Sequence, residues 1–151
     1  MGLDTIDRAI LDVLRQDART SVNALAQRVS ISRANAYARL RRLTDDGVIV
    51  GYGLRTDPVR EGFHASAYVA LSVDQSDWQH IRSGLLAMPE VEHVALVGGD
   101  FDVLVLVRAR DNRDLRRIVL EEIQAFPGVR SSRTFPIFED LDAVTGRRGA
   151  D

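Results

Sequence analysis

The tightest constraint lies between residues 21 and 47, where two helical patterns are separated by only two residues. Leu25, Ala26 and Val29 recur at helical spacing after Ser21, which can cap them. Ser30 and Ile31 then intervene before Ser32, a second N-cap candidate. Counted from Ser32, Ile31 is N′ and Ala36 is N4, the pair that forms a hydrophobic staple and sets the angle between chain and helix. A gap this short leaves room only for a tight helix–turn–helix.

The flanking pattern completes a three-helix unit. Leu3, Ile6, Ile10, Leu11 and Leu14 form one apolar stripe. Asp4 is its natural N-cap, and Asp7 follows three residues later in the first turn. These signals predict helices over about 5–17, after Ser21, and over about 33–46, the last one stopped by Gly47.

At about 100° per residue, Ala36, Leu40 and Leu43 share one face of the third helix, with Arg39 at its edge. The opposite arc carries Ala34, Asn35, Tyr37, Ala38, Arg41 and Arg42. Small residues let a backbone approach a groove, and Asn and Arg can pair with the adenine and guanine edges. Ser32, Arg33 and the free N–H groups of the first turn suit a phosphate. A solvated basic face would share this composition; the capped turn before it favours double-stranded DNA.

Charge supports the same division. Residues 1–60 carry ten Arg against seven acids, and residues 61–151 ten Arg against fifteen, so a net charge of −2 hides a basic N-terminal part. With 45% hydrophobic residues the 151-residue chain can bury a core. It has no cysteine, which excludes disulfides, zinc ribbons and thiol nucleophiles. The opening MGLDTIDRAI is unlike a signal peptide, and no apolar run approaches a membrane span. A soluble cytoplasmic protein is expected. His64, His80 and His93 lack metal-ligand spacing, and neither a nucleophile elbow nor a phosphate or dinucleotide loop is present. No catalytic residue, metal or cofactor is expected.

Val48 to Thr56 alternates weakly, predicting a strand that ends at Asp57-Pro58. Beyond a boundary near 58–64 the period changes. Strands are expected over 65–73, 91–97, 103–107 and 129–137. Helices are expected over 78–88, stopped by Pro89, and around Leu115, Ile118, Val119, Glu122 and Ile123. The order βαββαβ predicts a ferredoxin-like sandwich, giving an α+β chain. Val103–Val107 is apolar on both sides, although helices in this fold cover one sheet face. A second copy of the chain is the simplest cover for the other face, through a two-fold interface. A homodimer would also space two recognition helices about one DNA turn, or a multiple of it, apart.

Residues along the whole N-terminal part resemble the Lrp/AsnC family of feast/famine regulators: Leu3-Asp4, Asp7-Arg8, Ile10-Leu11, Asp17-Ala18-Arg19, Ser21, Leu25-Ala26, Ser32, Arg39-Leu40, Leu43, Gly47-Val48-Ile49 and Gly51-Tyr52. The resemblance implies a winged helix-turn-helix DNA-binding domain with its connecting strand over 1–60. It implies a ligand-sensing and dimerisation domain over 61–138, commonly assembled to octamers, with a tail over 139–151. It also makes Arg39 structural, with Asp7 its plausible partner.

Within the second domain, Gly98-Gly99-Asp100-Phe101-Asp102 is similar to the family's effector turn, where an amino acid binds between subunits. Ser132 and Thr134 match hydroxyl positions beside it. Glycine bares N–H groups for a carboxylate, and Asp102 could take an ammonium. Read from spacing alone, Gly-Gly-Asp is first of all a hairpin turn. Two positions depart from the family pattern: Gly98, often a side chain there, and Pro136, which interrupts the last strand. Two rivals share the architecture. One is a sirohaem-decarboxylase-like enzyme using His93 with Arg108 or Arg110, and the other an effector-independent DNA-architectural protein.

Overall fold

A computed structural model describes residues 2–140, and the chain divides into two compact units, the first running to Arg55 and the second beginning at Thr56. The first contains α1 (Thr5–Gln16), α2 (Val22–Arg28) and α3 (Arg33–Asp45). Each starts at the predicted cap. The side chains of Asp4, Ser21 and Ser32 accept the backbone N–H of Asp7, Ala24 and Asn35 respectively. Gly47 stops α3 at φ +70°, in the left-handed region that glycine adopts without strain. Ile10, Leu25, Leu43 and Ile49 form the buried core, with Leu3, Ile6, Leu14, Val29 and Leu40 packed around it.

The second unit holds a four-stranded antiparallel sheet made of β1 (Ala65–Val73), β2 (Val91–Leu96), β3 (Val103–Ala109) and β4 (Val129–Pro136), in the order β2-β3-β1-β4. Between them run α4 (Trp78–Ala87) and α5 (Asn112–Arg117). This is the expected βαββαβ sandwich. Ala67, Val69, Leu71, Val103, Val105 and Val107 meet Ile81, Leu85, Leu115, Ile118 and Ile123 in one core.

Two elements differ from the sequence expectation. Residues 48–56 form no strand, because an alternating segment becomes a strand only when a neighbour completes its ladder. The second sheet-covering helix also changes pitch, from α5 into a π-helical turn over Ile118–Ile123, with Gln124 N–H reaching Val119 C=O at 3.0 Å. At α-helical pitch Ile123 would lie about 140° round from Ile118. The wider turn lets Ile118, Val119 and Ile123 all face the core.

Pro136 ends β4 rather than breaking it, since β4 is an edge strand that can spare an N–H. The sheet face away from the helices carries Tyr68 opposite Phe135, both about 40% exposed, beside Ala70, Leu104 and Leu106. No helix among the described residues is long and apolar enough to cross a membrane.

Candidate functional site

The turn before α3 is tighter than its two residues suggest. Ser30 adopts φ +56°; its N–H bonds Gln27 C=O at 3.2 Å, and Ile31 N–H reaches Ala26 C=O at 2.9 Å. Those two bonds are the Schellman closure of α2, with serine in the left-handed position that usually falls to glycine. The strain is about 1 kcal/mol. Sequence reading found the short gap but not this conformation, because serine carries no positive-φ signal.

α3 presents the expected surface. Ser32, Arg33, Ala34, Asn35, Tyr37, Ala38 and Arg41 are exposed, while Ala36 and Leu43 are buried and Leu40 is half-buried. Arg41 lies 3.6 Å from Asp45 across an exposed i,i+4 pair, which in water holds it weakly. Tyr37, Leu40, Arg41, Thr44 and Asp45 line an open depression of about 270 Å³ with Val22.

The remaining arginines of α3 turn towards α1. Arg42 Nη2 donates to both carboxylate oxygens of Asp7 at 2.6 Å. Arg39 Nη1 donates to Asp7 Oδ1 and Asp4 Oδ2 at 2.7 Å each, and its Nε donates to Asn35 Oδ1 at 3.0 Å. Asp7 is only 1% exposed and also reciprocates the cap, accepting Asp4 N–H at 3.2 Å. Burial pushes the Asp7 carboxyl up, yet the bonds from Arg39, Asp4 N–H and Arg42 outweigh it and hold the group below the usual carboxylate range. Asp4 is lowered too, first by Asp7 N–H and then by Arg39. Arg39 thus has the structural partner expected for it. Arg42, expected to face DNA, gives its Nη2 to Asp7 while its side chain stays 36% exposed: its Cβ is near the outward arc, and a buried carboxylate within reach holds one end of the guanidinium.

In the second unit, residues 97–102 connect β2 to β3 and include the expected effector turn. Gly99 takes φ +112° and so requires glycine, whereas Gly98 has ordinary backbone and open space where a Cβ would stand. Asp102 N–H bonds Leu71 C=O at 2.9 Å, and its Oδ2 accepts Val73 N–H at 2.8 Å. Arg130 lies 3.8 Å from the same oxygen, 3.5 Å from Asp74, and donates to Val73 C=O at 3.1 Å. The carboxylate expected to meet a ligand's ammonium is therefore already tying three segments together, with Oδ1 the oxygen not used in that bond. Asp100 is exposed, and Arg133 stacks over the Phe101 ring at 5.2 Å. Ser132 Oγ accepts Gln124 Nε2 at 2.6 Å, and Thr134 is exposed on β4 opposite Val69. The Arg130 and Gln124 contacts were missed because each joins residues far apart in pattern.

The side chains weighed for tetrapyrrole chemistry do not form a free cationic site. Arg108 bonds Glu92 at 2.5 Å, Ser66 Oγ at 3.0 Å and Asp140 at 2.8 Å, while His93 pairs opposite Leu106. Arg110 is mostly exposed, 4.0 Å from Asp114. No group of three or more His, Cys, Asp or Glu placed to hold a metal occurs among the described residues.

Comparison with known proteins agrees with both halves. Residues 3–50 match the model for winged helix-turn-helix DNA-binding domains, and residues 66–144 the model for the Lrp/AsnC ligand binding domain. The HTH-type transcriptional regulator AldR of Mycobacterium tuberculosis is 38% identical over 92% of this chain and 79% of its own length. A proline dehydrogenase transcriptional activator of Rhizobium radiobacter is 31% identical over 92% and 91%. Among solved structures, a transcriptional regulator of Neisseria meningitidis in complex with L-methionine superposes with a TM-score of 0.87 at 22% identity, covering 93% of each chain.

Proposed function

Because the chain belongs to the Lrp/AsnC family of DNA-binding transcriptional regulators, we propose that it is a cytoplasmic regulator reading double-stranded DNA through α3 and responding to an amino acid. The observation that carries the DNA reading is the exposed arc of α3. Ser32, Arg33, Ala34, Asn35, Tyr37, Ala38 and Arg41 stand on a helix whose start is clamped by the Ser30 turn and the Ser32 cap. Small side chains let the helix enter a major groove, and the polar ones meet base edges or phosphates. Arg42 gives Nη2 to Asp7 and stands at the edge of this surface, with Nη1 and Nε left to meet a phosphate.

The effector reading rests on the 98–102 loop. Gly98 to Asp102 are exposed or half-buried, Asp100 and Asp102 supply carboxylates, Phe101 stacks with Arg133, and Ser132 and Thr134 offer hydroxyls on β4. The regulator from Neisseria holds L-methionine, which makes an amino acid the ligand class to try first. Self-association rests on the sheet face away from the helices, where Tyr68 and Phe135 stay about 40% exposed while Ala70 and Leu106 beside them are buried, which fits a two-fold homodimer able to assemble to an octamer. An amino acid bound between subunits would favour one assembly, and with it one spacing of the DNA-binding heads.

Selection of bound genomic fragments by the purified chain, with each of the twenty amino acids and without, tests both parts. The expected result is an enriched palindromic motif whose occupancy, or the particle size in light scattering, changes with one or a few amino acids. Enrichment without a motif would replace specific reading with loose architectural binding. A motif insensitive to every amino acid would remove the effector.

A further inference from the structure

Asn35 is the one exposed α3 side chain with a carboxamide, and it is not free to turn. Arg39 Nε donates to its Oδ1 at 3.0 Å. A guanidinium has donors and no acceptor, so the end of the carboxamide facing Arg39 must be the oxygen. Arg39 is itself held at Nη1 by Asp4 and by the buried Asp7, each at 2.7 Å, and its side chain is only 19% exposed. Asp7 is locked in turn by the α1 capping box and by Arg42. A chain of fixed contacts thus runs from the start of α1 to one side chain on the exposed arc.

We propose that Asp7 and Arg39 position the Asn35 carboxamide with its NH₂ outward, so that Asn35 meets DNA as a donor aimed at one base position. The outward NH₂ matches the acceptors of the major groove, N7 of a purine, O6 of guanine or O4 of thymine, and the Arg39 bond fixes which of them it can reach. Arg39 and Asp7 are positioning residues here, acting on bases only through Asn35. The inference rests on the DNA-reading role of α3 proposed above and adds to it the pair that orients its carboxamide.

The test compares motifs selected from a random DNA library by the full-length chain, by Asn35→Ala, by Arg39→Lys and by the double variant. Lysine keeps a cation for Asp7 and Asp4 but has no Nε–H in the guanidinium plane for Asn35. The wild type is expected to show one motif position, in each half-site, that Asn35→Ala relaxes by about 5- to 150-fold. Arg39→Lys should shift preference at that same position and at no other, and the double variant should add nothing to Asn35→Ala there. Asn35 is exposed, so its alanine variant stays folded, and a ratio between bases at one position is insensitive to the fraction of folded protein. An unaltered profile for Arg39→Lys would overturn the proposal while leaving DNA reading by α3 intact. A wild type that selects no motif would overturn the DNA-reading role itself, and this inference with it.

Discussion

Replacing Asp7 by alanine removes the partner shared by Arg39 and Arg42 and half of the α1 capping box. Deleting one member of a buried ion pair typically costs about 3–5 kcal/mol, because the survivor stays charged and dry. Here the survivors have a way out. The Arg42 side chain is 36% exposed and Arg39 19%, so both can turn into water once Asp7 is gone. The loss should therefore fall below that range, at about 2–3 kcal/mol including the orphaned Asp4 N–H. In a unit of this size it corresponds to a fall of roughly 10–20 °C in Tm.

The converse deletion is harsher per contact. Arg39→Ala or Arg42→Ala alone leaves Asp7 with one cation, but removing both strands a carboxylate that is only 1% exposed. The double variant should lose more than the two single losses added, since each arginine covers for the other. Urea unfolding of the full chain separates the units. The single tryptophan, Trp78, lies in α4 and reports the second unit, while helical circular dichroism also follows α1 to α3. Asp7→Ala should move the dichroism transition and leave the Trp78 transition in place. A loss below about 0.5 kcal/mol, the ordinary range for surface changes, or strict additivity of the arginine pair, would refute the network as a source of stability.

The pH dependence follows from the same groups. Asp7 and Asp4 have folded pKa values below their ordinary one, so the stability they contribute is present above about pH 4 and is lost as pH falls through the lowered folded values; Asp7→Asn should flatten acid unfolding of the first unit below about pH 4. Ser30→Gly relieves the positive φ and should raise the stability of the first unit by about 0.5–1 kcal/mol, seen by the same dichroism transition. Gly128→Ala meets both a φ of +88° and Asp77 Cβ at 2.6 Å, and should cost about 1–3 kcal/mol in the Trp78 transition. On the uncovered sheet face, Tyr68→Asp should shift sedimentation towards the monomer at micromolar concentration, and an unchanged sedimentation profile would count against that face as the dimer contact.

What was legible in the sequence divides by the reach of the signal. Caps act over three residues, and Asp4, Ser21 and Ser32 place the starts of all three N-terminal helices. Alternation acts over two residues, and β1 begins and ends where its alternation does. Conformations that run against a residue's preference left no trace, as with Ser30 at positive φ. Residues 48–56 show the opposite failure: the pattern of a strand is present, but a ladder depends on a partner that the pattern does not name. Long side chains were read worst. Helical projection fixes where a Cβ points, and for Ala34 or Ala38 that is the whole answer. For Arg41 and Arg42, adjacent on the same arc, it is not. Arg41 finds only the exposed Asp45 and stays in solvent, while Arg42 finds Asp7, thirty-five residues earlier, and folds back onto α1. The proposed binding surface of α3 is therefore set as much by α1 as by α3 itself. A change at Asp7 should reach DNA through two routes, by releasing Arg42 as an extra cation and by freeing Asn35 to rotate. The first would steepen the salt dependence of binding by about one unit of log–log slope for all sequences, and the second would alter base preference at one position alone.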